Sequence, residues 1–123
     1  MLKNFKELNV WQKSYDLCLM IYRITKEFPK EEIYGLTSQL RRVAVSIPSN
    51  TAEGYGRKTT TDYLRFLYIA YGSVCELETQ IMLSGDLDYI KGDTLKEIND
   101  NINEVERMLK GLINSLEKKH LNP

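Results

Sequence analysis

Four stretches in which apolar residues recur every three or four positions, each bounded by proline or glycine, constrain this 123-residue chain more than any other feature. Val10, Leu17, Ile21, Ile24 and Phe28 mark the first, which Pro29 closes. Leu36, Leu40, Val43 and Ile47 mark the second, and Tyr63, Phe66, Leu67, Ala70, Val74, Leu77 and Ile81 the third. Leu95, Ile98, Ile102, Val105, Leu109, Leu112 and Leu116 mark the fourth. Such spacing gathers apolar side chains on one face of a helix, whereas the period-two alternation of a strand fails through Leu64 to Tyr71. The expected fold is all-α, an up-and-down four-helix bundle with helices near Val10–Glu27, Glu31–Tyr55, Thr61–Ser84 and Thr94–Lys118. Short connections make successive helices alternate in direction.

End signals refine these spans. Asn9 suits an N-cap, and Glu31 and Glu32 suit the positive end of the second helix. Pro48 has no N–H and crowds the carbonyl of residue 44, so a kinked helix resuming through Ser49 to Tyr55 is expected, with Gly54 and Gly56 ending it. Thr59 offers a capping hydroxyl three residues before Asp62, and Asp93 can cap the last helix. Leu87, Tyr89 and Ile90 are expected to fold back onto one end of the core. Residues 1–123 read as one domain with ends fraying near 1–8 and 119–123.

Composition narrows the function classes. Lys plus Arg and Asp plus Glu both number 17, which gives no overall pull toward nucleic acid or membrane. No run approaches the roughly 20 apolar residues that cross a bilayer, and no signal-peptide core is evident, so a cytoplasmic location without membrane partners is expected. Cys18 and Cys75 lie in helical patterning and are read as two buried free thiols. With His120 the only histidine, no Cys/His zinc set can form, and neither a metal nor a cofactor is expected. Glu53 and Glu76 are the best candidates for paired carboxylates, but di-metal bundle sites draw on additional Glu and Glu-x-x-His ligands and this chain has no internal histidine, nor does a nucleotide loop or Ser/His/Asp set accompany the two acids. The chain is read as a non-enzyme.

Charge is uneven along the chain. Between Leu36 and Gly72, five basic residues (Arg41, Arg42, Arg57, Lys58, Arg65) face two acidic ones (Glu53, Asp62); between Gly85 and Glu106, two basic residues face seven acidic ones. Gln39, Arg42, Ser46, Ser49, Asn50 and Glu53 recur at helical spacing and form a polar ridge, with Arg65, Gly72, Ser73 and Glu76 as its counterpart on the third helix. These groups can satisfy one another across a helix or subunit interface, where Arg41 or Arg42 can meet Glu53, Glu76 or Glu78. A second stripe on the first helix, Trp11, Tyr15, Cys18 and Tyr22, adds apolar width beyond one bundle core, as do Tyr55, Tyr68 and Tyr71. Self-association, as a ring or a dimer, would bury that surplus. Arg57, Lys58 and Arg65, with Tyr55 for stacking, form an alternative surface for RNA or DNA phosphate.

The opening "FKELNVWQKSYDL", Phe28-Pro29, "GLTSQLRRVAVSIPSNTAEGYGR" from Gly35 to Arg57, and Tyr63, Phe66, Leu67, Ala70, Gly72, Ser73, Glu76, Leu77 and Glu78 together resemble the 23S rRNA-intervening-sequence proteins, the S23-like four-helix-bundle family. The resemblance spans nearly the whole chain. It departs at Thr51, where isoleucine is commoner in the family pattern, a change expected to weaken one apolar contact. The resemblance implies an up-and-down bundle that assembles as a closed cyclic homo-oligomer, a pentamer, in bacteria, with some genes lying inside large-subunit ribosomal RNA genes. The family is also similar to the accessory variability protein of diversity-generating retroelements, a pentameric barrel thought to bind nucleic acid and a reverse transcriptase. From the residues and the resemblance together, the expected role is a non-enzymatic, homo-oligomeric scaffold or protein-interaction module, with nucleic-acid binding through a basic oligomer surface as the alternative.

Overall fold

The computed structural model describes residues 3–121 and contains, in order, α1 (Asn9–Thr25), α2 (Leu36–Tyr55), α3 (Thr60–Asp86) and α4 (Gly92–Leu121), with single 3-10 turns at Phe5–Glu7 and Lys30–Glu32. No strand occurs among the described residues. Each helix packs on its neighbours in chain order and α4 returns to α1, so α1 and α3 occupy diagonal corners of the bundle. Successive helices run antiparallel: Gln39 meets Gln80 while Ser46 meets Ser73, and Lys13 reaches Glu104. The fold is the all-α four-helix bundle that the periodicities dictate.

The core follows from those periodicities. Leu17 and Ile21 of α1, Leu40 and Ile47 of α2, Leu67, Leu77 and Ile81 of α3, and Ile98, Ile102 and Leu109 of α4 are fully enclosed. Burying one such side chain contributes about 1.5–3 kcal/mol, and together they supply the main attraction among the four helices.

Several ends differ from expectation for identifiable reasons. α2 begins at Leu36 because Lys30–Glu32 form a separate turn; the Glu32 carboxylate accepts from the Leu36 N–H at 3.1 Å, so this acid caps α2 from outside it. Leu8 precedes α1 as its cap residue and makes no side-chain cap bond, which leaves Asn9 as the first helical residue. Phe5–Glu7, within the stretch expected to fray, form a turn capped by the Asn4 side chain. At α3 the Thr59 hydroxyl accepts from the Asp62 N–H at 3.1 Å, as the threonine spacing suggested. α3 extends to Asp86 and ends with Asp88 at φ 65°, its N–H on Gly85 O at 3.0 Å and that of Tyr89 on Ser84 O at 2.9 Å. This is a Schellman ending in which aspartate takes the left-handed position that glycine usually fills. α4 starts at Gly92, with Asp93 in its first turn rather than as its cap. Of the loop residues expected to fold inward, Ile90 is buried and Tyr89 half-buried, but Leu87 is exposed.

Pro48 lies inside a continuous α2. Just after it, two side chains bond back across the proline: Asn50 Nδ2 donates to Ser46 O at 2.8 Å, and the buried Thr51 hydroxyl donates to Ile47 O at 2.8 Å. Thr51 thus sits in the core with its polar atom satisfied. Gly54, expected to end the helix, is a buried helical residue: a Cβ there would lie 3.0 Å from both Phe66 Cβ and Tyr63 Cδ1 and 3.1 Å from Tyr63 O. Its missing side chain lets α2 and α3 approach, and α2 then ends at Gly56 with ordinary right-handed backbone.

Candidate interaction surfaces

Part of the polar ridge closes on itself within one chain. Ser46 Oγ and Ser73 Oγ share a 2.9 Å hydrogen bond across the α2–α3 seam, and Asn50 Nδ2 donates to Ser46 Oγ at 2.9 Å. Further along, Gln80 Nε2 donates to Gln39 Oε1 at 3.1 Å and, at 3.5 Å, to Glu76 Oε2. The Gln80 side-chain oxygen Oε1 is buried without a partner. Gln80 could not be found by sequence reasoning because it sits in the third helix's apolar run and its partner is 41 residues away.

The expected charged pairs resolve differently. Arg42 comes no nearer than 4.0 Å to Glu76, and both side chains are solvated, so this contact contributes between about 0 and 1 kcal/mol. Arg41 turns away from every acid proposed for it: Nε donates to the buried Thr25 hydroxyl at 2.9 Å, and its guanidinium lies 4.9 Å from the Tyr22 ring centroid on α1. Glu53 pairs with Arg57 one turn on, at 2.7 Å. Because α2 and α3 are antiparallel about Ser46–Ser73, Glu53 and Glu76 lie on opposite sides of that level, about 15 Å apart along the seam at 1.5 Å per residue. They are not a carboxylate pair.

At the α2–α3 corner, Arg57 and Arg65 both bring Cζ to 4.6 Å from the Phe66 ring centroid. Arg65 is also 3.9 Å from Asp62. Lys58 is exposed beside them. Tyr55 is half-buried with its ring edge-on to Tyr63, at 6.1 Å between centroids. Burial, with Tyr55 adding to it, pushes the Tyr63 hydroxyl up to about 12.

The second stripe of α1 forms one wall of an apolar groove whose other wall is α2. Trp11, Tyr15, Cys18 and Leu19 face Val45, Pro48, Ser49 and Ala52 around a cavity of about 350 Å³. Val45 and Ala52 carried no signal of this role in the sequence. Burial raises the pKa of the half-buried Cys18 thiol, whereas Cys75, expected to be buried, is exposed on α3; both are free. Elsewhere on the bundle, α3 presents Tyr68, Ile69, Met82 and Leu83 to solvent, each between 44% and 62% exposed. Tyr71, expected to be exposed too, is half-buried under Lys110, whose Nζ lies 5.5 Å from the ring centroid.

Residues 6–111 match the family model described as 23S rRNA-intervening sequence protein. The chain belongs to that family. A crystal structure of a protein with unknown function from the S23 ribosomal protein family of Bacteroides thetaiotaomicron VPI-5482 has the same fold, with a TM-score of 0.79 and 24% identity over 85% of this chain and 95% of that one. No curated protein matches the sequence. The "GLTSQLRRVAVSIPSNTAEGYGR" segment that resembles the intervening-sequence proteins spans α2 from its cap Gly35 to Arg57, with Gly54 at the close approach to α3. No helix among the described residues of this family member is long and apolar enough to cross a membrane.

Proposed function

We propose that this chain is a non-enzymatic, cytoplasmic scaffold subunit that assembles with copies of itself into a closed ring, of five subunits by family resemblance. The observation that carries the reading is the pair of uncovered apolar surfaces, the α1–α2 groove and the outer face of α3, at two different places on one bundle. Exposed apolar area of this kind is stabilised by burial against another protein. Two different patches favour head-to-tail contacts, which close into rings, over a two-fold dimer that uses one patch twice. The separation of Glu53 from Glu76 supports a non-catalytic role, and the exposed free thiol at Cys75 suits a reducing compartment. Leu19→Glu puts a charge on the groove at a position 40% exposed, away from the core. It should leave helix content unchanged and shift sedimentation to the monomer; an unchanged assembly would remove the groove from the interface.

A second reading, nucleic-acid contact, is favoured by Arg57 and Arg65 held on one aromatic ring beside Lys58. Stacking fixes guanidinium planes that can then meet phosphate, and a ring would repeat the patch. Glu53 and Asp62 partly offset it. Titration with RNA and with DNA across salt concentrations tests this: binding that weakens with salt and with charge reversal of Arg57, Lys58 and Arg65 is the expected result, and no binding at low salt would end it.

A further inference from the structure

We infer that the small cavity between the C-terminal end of α1 and the first turn of α2 binds a phosphate group, as the free ion or as the end of a phosphomonoester. It lies at the opposite end of α2 from the Arg57–Arg65 corner and shares no lining residue with the apolar groove.

Three cations from three segments line this cavity of about 160 Å³, and no acidic side chain does. Lys26 follows α1, Lys30 opens the turn after Pro29, and Arg41 belongs to α2. Among the described residues none of the three is paired with a carboxylate. Arg41 is half-buried, where a charge without a counter-charge is costly, and it is held in place. Its Nε donates to the buried Thr25 hydroxyl at 2.9 Å, its Nη2 reaches Tyr22 O at 3.4 Å, and the Tyr22 ring flanks the guanidinium. The rest of its N–H fork is left for a ligand.

Thr37 points to a ligand independently. It is 6% exposed and lines the cavity, yet its hydroxyl keeps access to solvent and bonds no described residue. Thr25, Thr51 and Ser84 are equally buried, and each bonds a carbonyl four residues back. The backbone adds donors at the same place. Glu32 takes the Leu36 N–H, whereas those of Thr37 and Ser38 in the same first turn have no carbonyl partner.

The acids of the α1–α2 turn are committed elsewhere. Glu32 also accepts from the Tyr89 hydroxyl at 2.9 Å; that bond and, more weakly, the nearby charge of Glu31 hold the hydroxyl above its ordinary pKa. Glu27 lines a different cavity, with Tyr89 and Lys91. The turn thus has an acidic side toward the α3–α4 loop and a basic side over the Thr37 cavity.

Size and charge select the ligand. Sites that enclose whole small molecules occupy roughly 300–1,000 Å³, so this smaller cavity takes one group and leaves the remainder of an ester outside. A phosphomonoester brings about two negative charges at pH 7 and three acceptor oxygens, which match several cations and a hydroxyl; a carboxylate brings one charge and two oxygens.

NMR titration of the full-length protein with inorganic phosphate and with glycerol phosphate tests the site, with acetate and a dinucleotide diester as controls at matched ionic strength. Saturable shifts of the Thr37 and Ser38 amides and of Arg41 Nε are expected with both phosphates, at millimolar concentrations where the controls cause none. Saturation by inorganic phosphate alone supports the site and restricts it to the free ion. Thr37→Val and Lys30→Gln alter side chains that have no partner in the chain. Each should keep the melting temperature and weaken phosphate binding about tenfold, the worth of one hydrogen bond to a charged group. Charge reversal of Arg57, Lys58 and Arg65 should leave that binding unchanged, and its loss there would move the site to the other end of the bundle and overturn the inference. So would the absence of saturable phosphate binding, equal binding of acetate or the diester, or unchanged affinity in either Thr37→Val or Lys30→Gln.

Discussion

Ser46 Oγ and Ser73 Oγ, 2.9 Å apart, join α2 to α3 at mid-height through a bond that Asn50 also supports. Two small hydroxyls can meet there only because the helices are close. Ser73→Ala should lower stability by about 1 kcal/mol, and Ser46→Ala/Ser73→Ala together by less than the sum of the single changes, since either single variant already removes the shared bond. Urea denaturation of the four proteins of the cycle measures this; strict additivity would show that the pair does not interact.

Gly54→Ala sets two effects against each other. Helix propensity gains up to about 1 kcal/mol, but the new methyl meets Phe66, Tyr63 and the Tyr63 carbonyl at 3.0–3.1 Å, and a backbone oxygen cannot swing aside. Overpacking of this kind costs about 1–3 kcal/mol, so net destabilisation and a lower melting temperature are expected. A more stable variant would show that α3 yields easily.

Arg41 and Arg42 are adjacent and should behave oppositely. Thr25→Val removes both the hydroxyl that accepts from Arg41 and its own bond to Ile21 O, and leaves the guanidinium short of a partner, for a loss of about 1–2 kcal/mol. Arg42→Ala should change the stability of the fold by less than about 0.5 kcal/mol, because its ion pair is long and solvated. Thermal unfolding of the two variants separates these cases, and a large loss in Arg42→Ala would place that side chain in an interface between copies.

Tyr63 makes the fold sensitive to alkali. Its hydroxyl titrates at about 12 in the folded chain against an ordinary 10.0, so the folded state holds the proton more tightly than the unfolded state does. The resulting stability is fully present below pH 10 and is lost as pH rises through 12. Tyr63→Phe should flatten the fall of melting temperature over that window; an unchanged slope would assign it to other tyrosines.

How much of this was legible in the sequence depends on what each feature rests on. The helices and the core rest on a 3.6-residue period that Leu17, Leu40, Leu77 and Leu109 display openly. Ser46 and Ser73 were nameable as ridge members because both interrupt apolar runs at helical spacing, but their bond depends on how two antiparallel helices register. The start of α2 was misplaced because Glu32 looks like a first-turn acid, whereas it caps Leu36 through its side chain from the preceding turn. Gly54 read as a helix stop because a glycine's use for close approach is set by a partner, here Tyr63 and Phe66, that is distant in sequence. Arg41 was assigned to acids because charge is visible in a sequence, while the buried Thr25 hydroxyl that it meets is not. The groove was half legible: Trp11, Tyr15 and Cys18 announced surplus apolar width, and only the packing of α1 on α2 adds Val45, Pro48 and Ala52.

The bundle proposed above is incomplete alone and assembles through its two apolar faces. Native mass spectrometry of the unmodified protein, paired with sedimentation equilibrium from below to well above micromolar concentration, tests it most directly. The expected result is one closed assembly of fixed subunit number, five by family resemblance, that persists on dilution to micromolar concentration. A stable monomer at that concentration would contradict it.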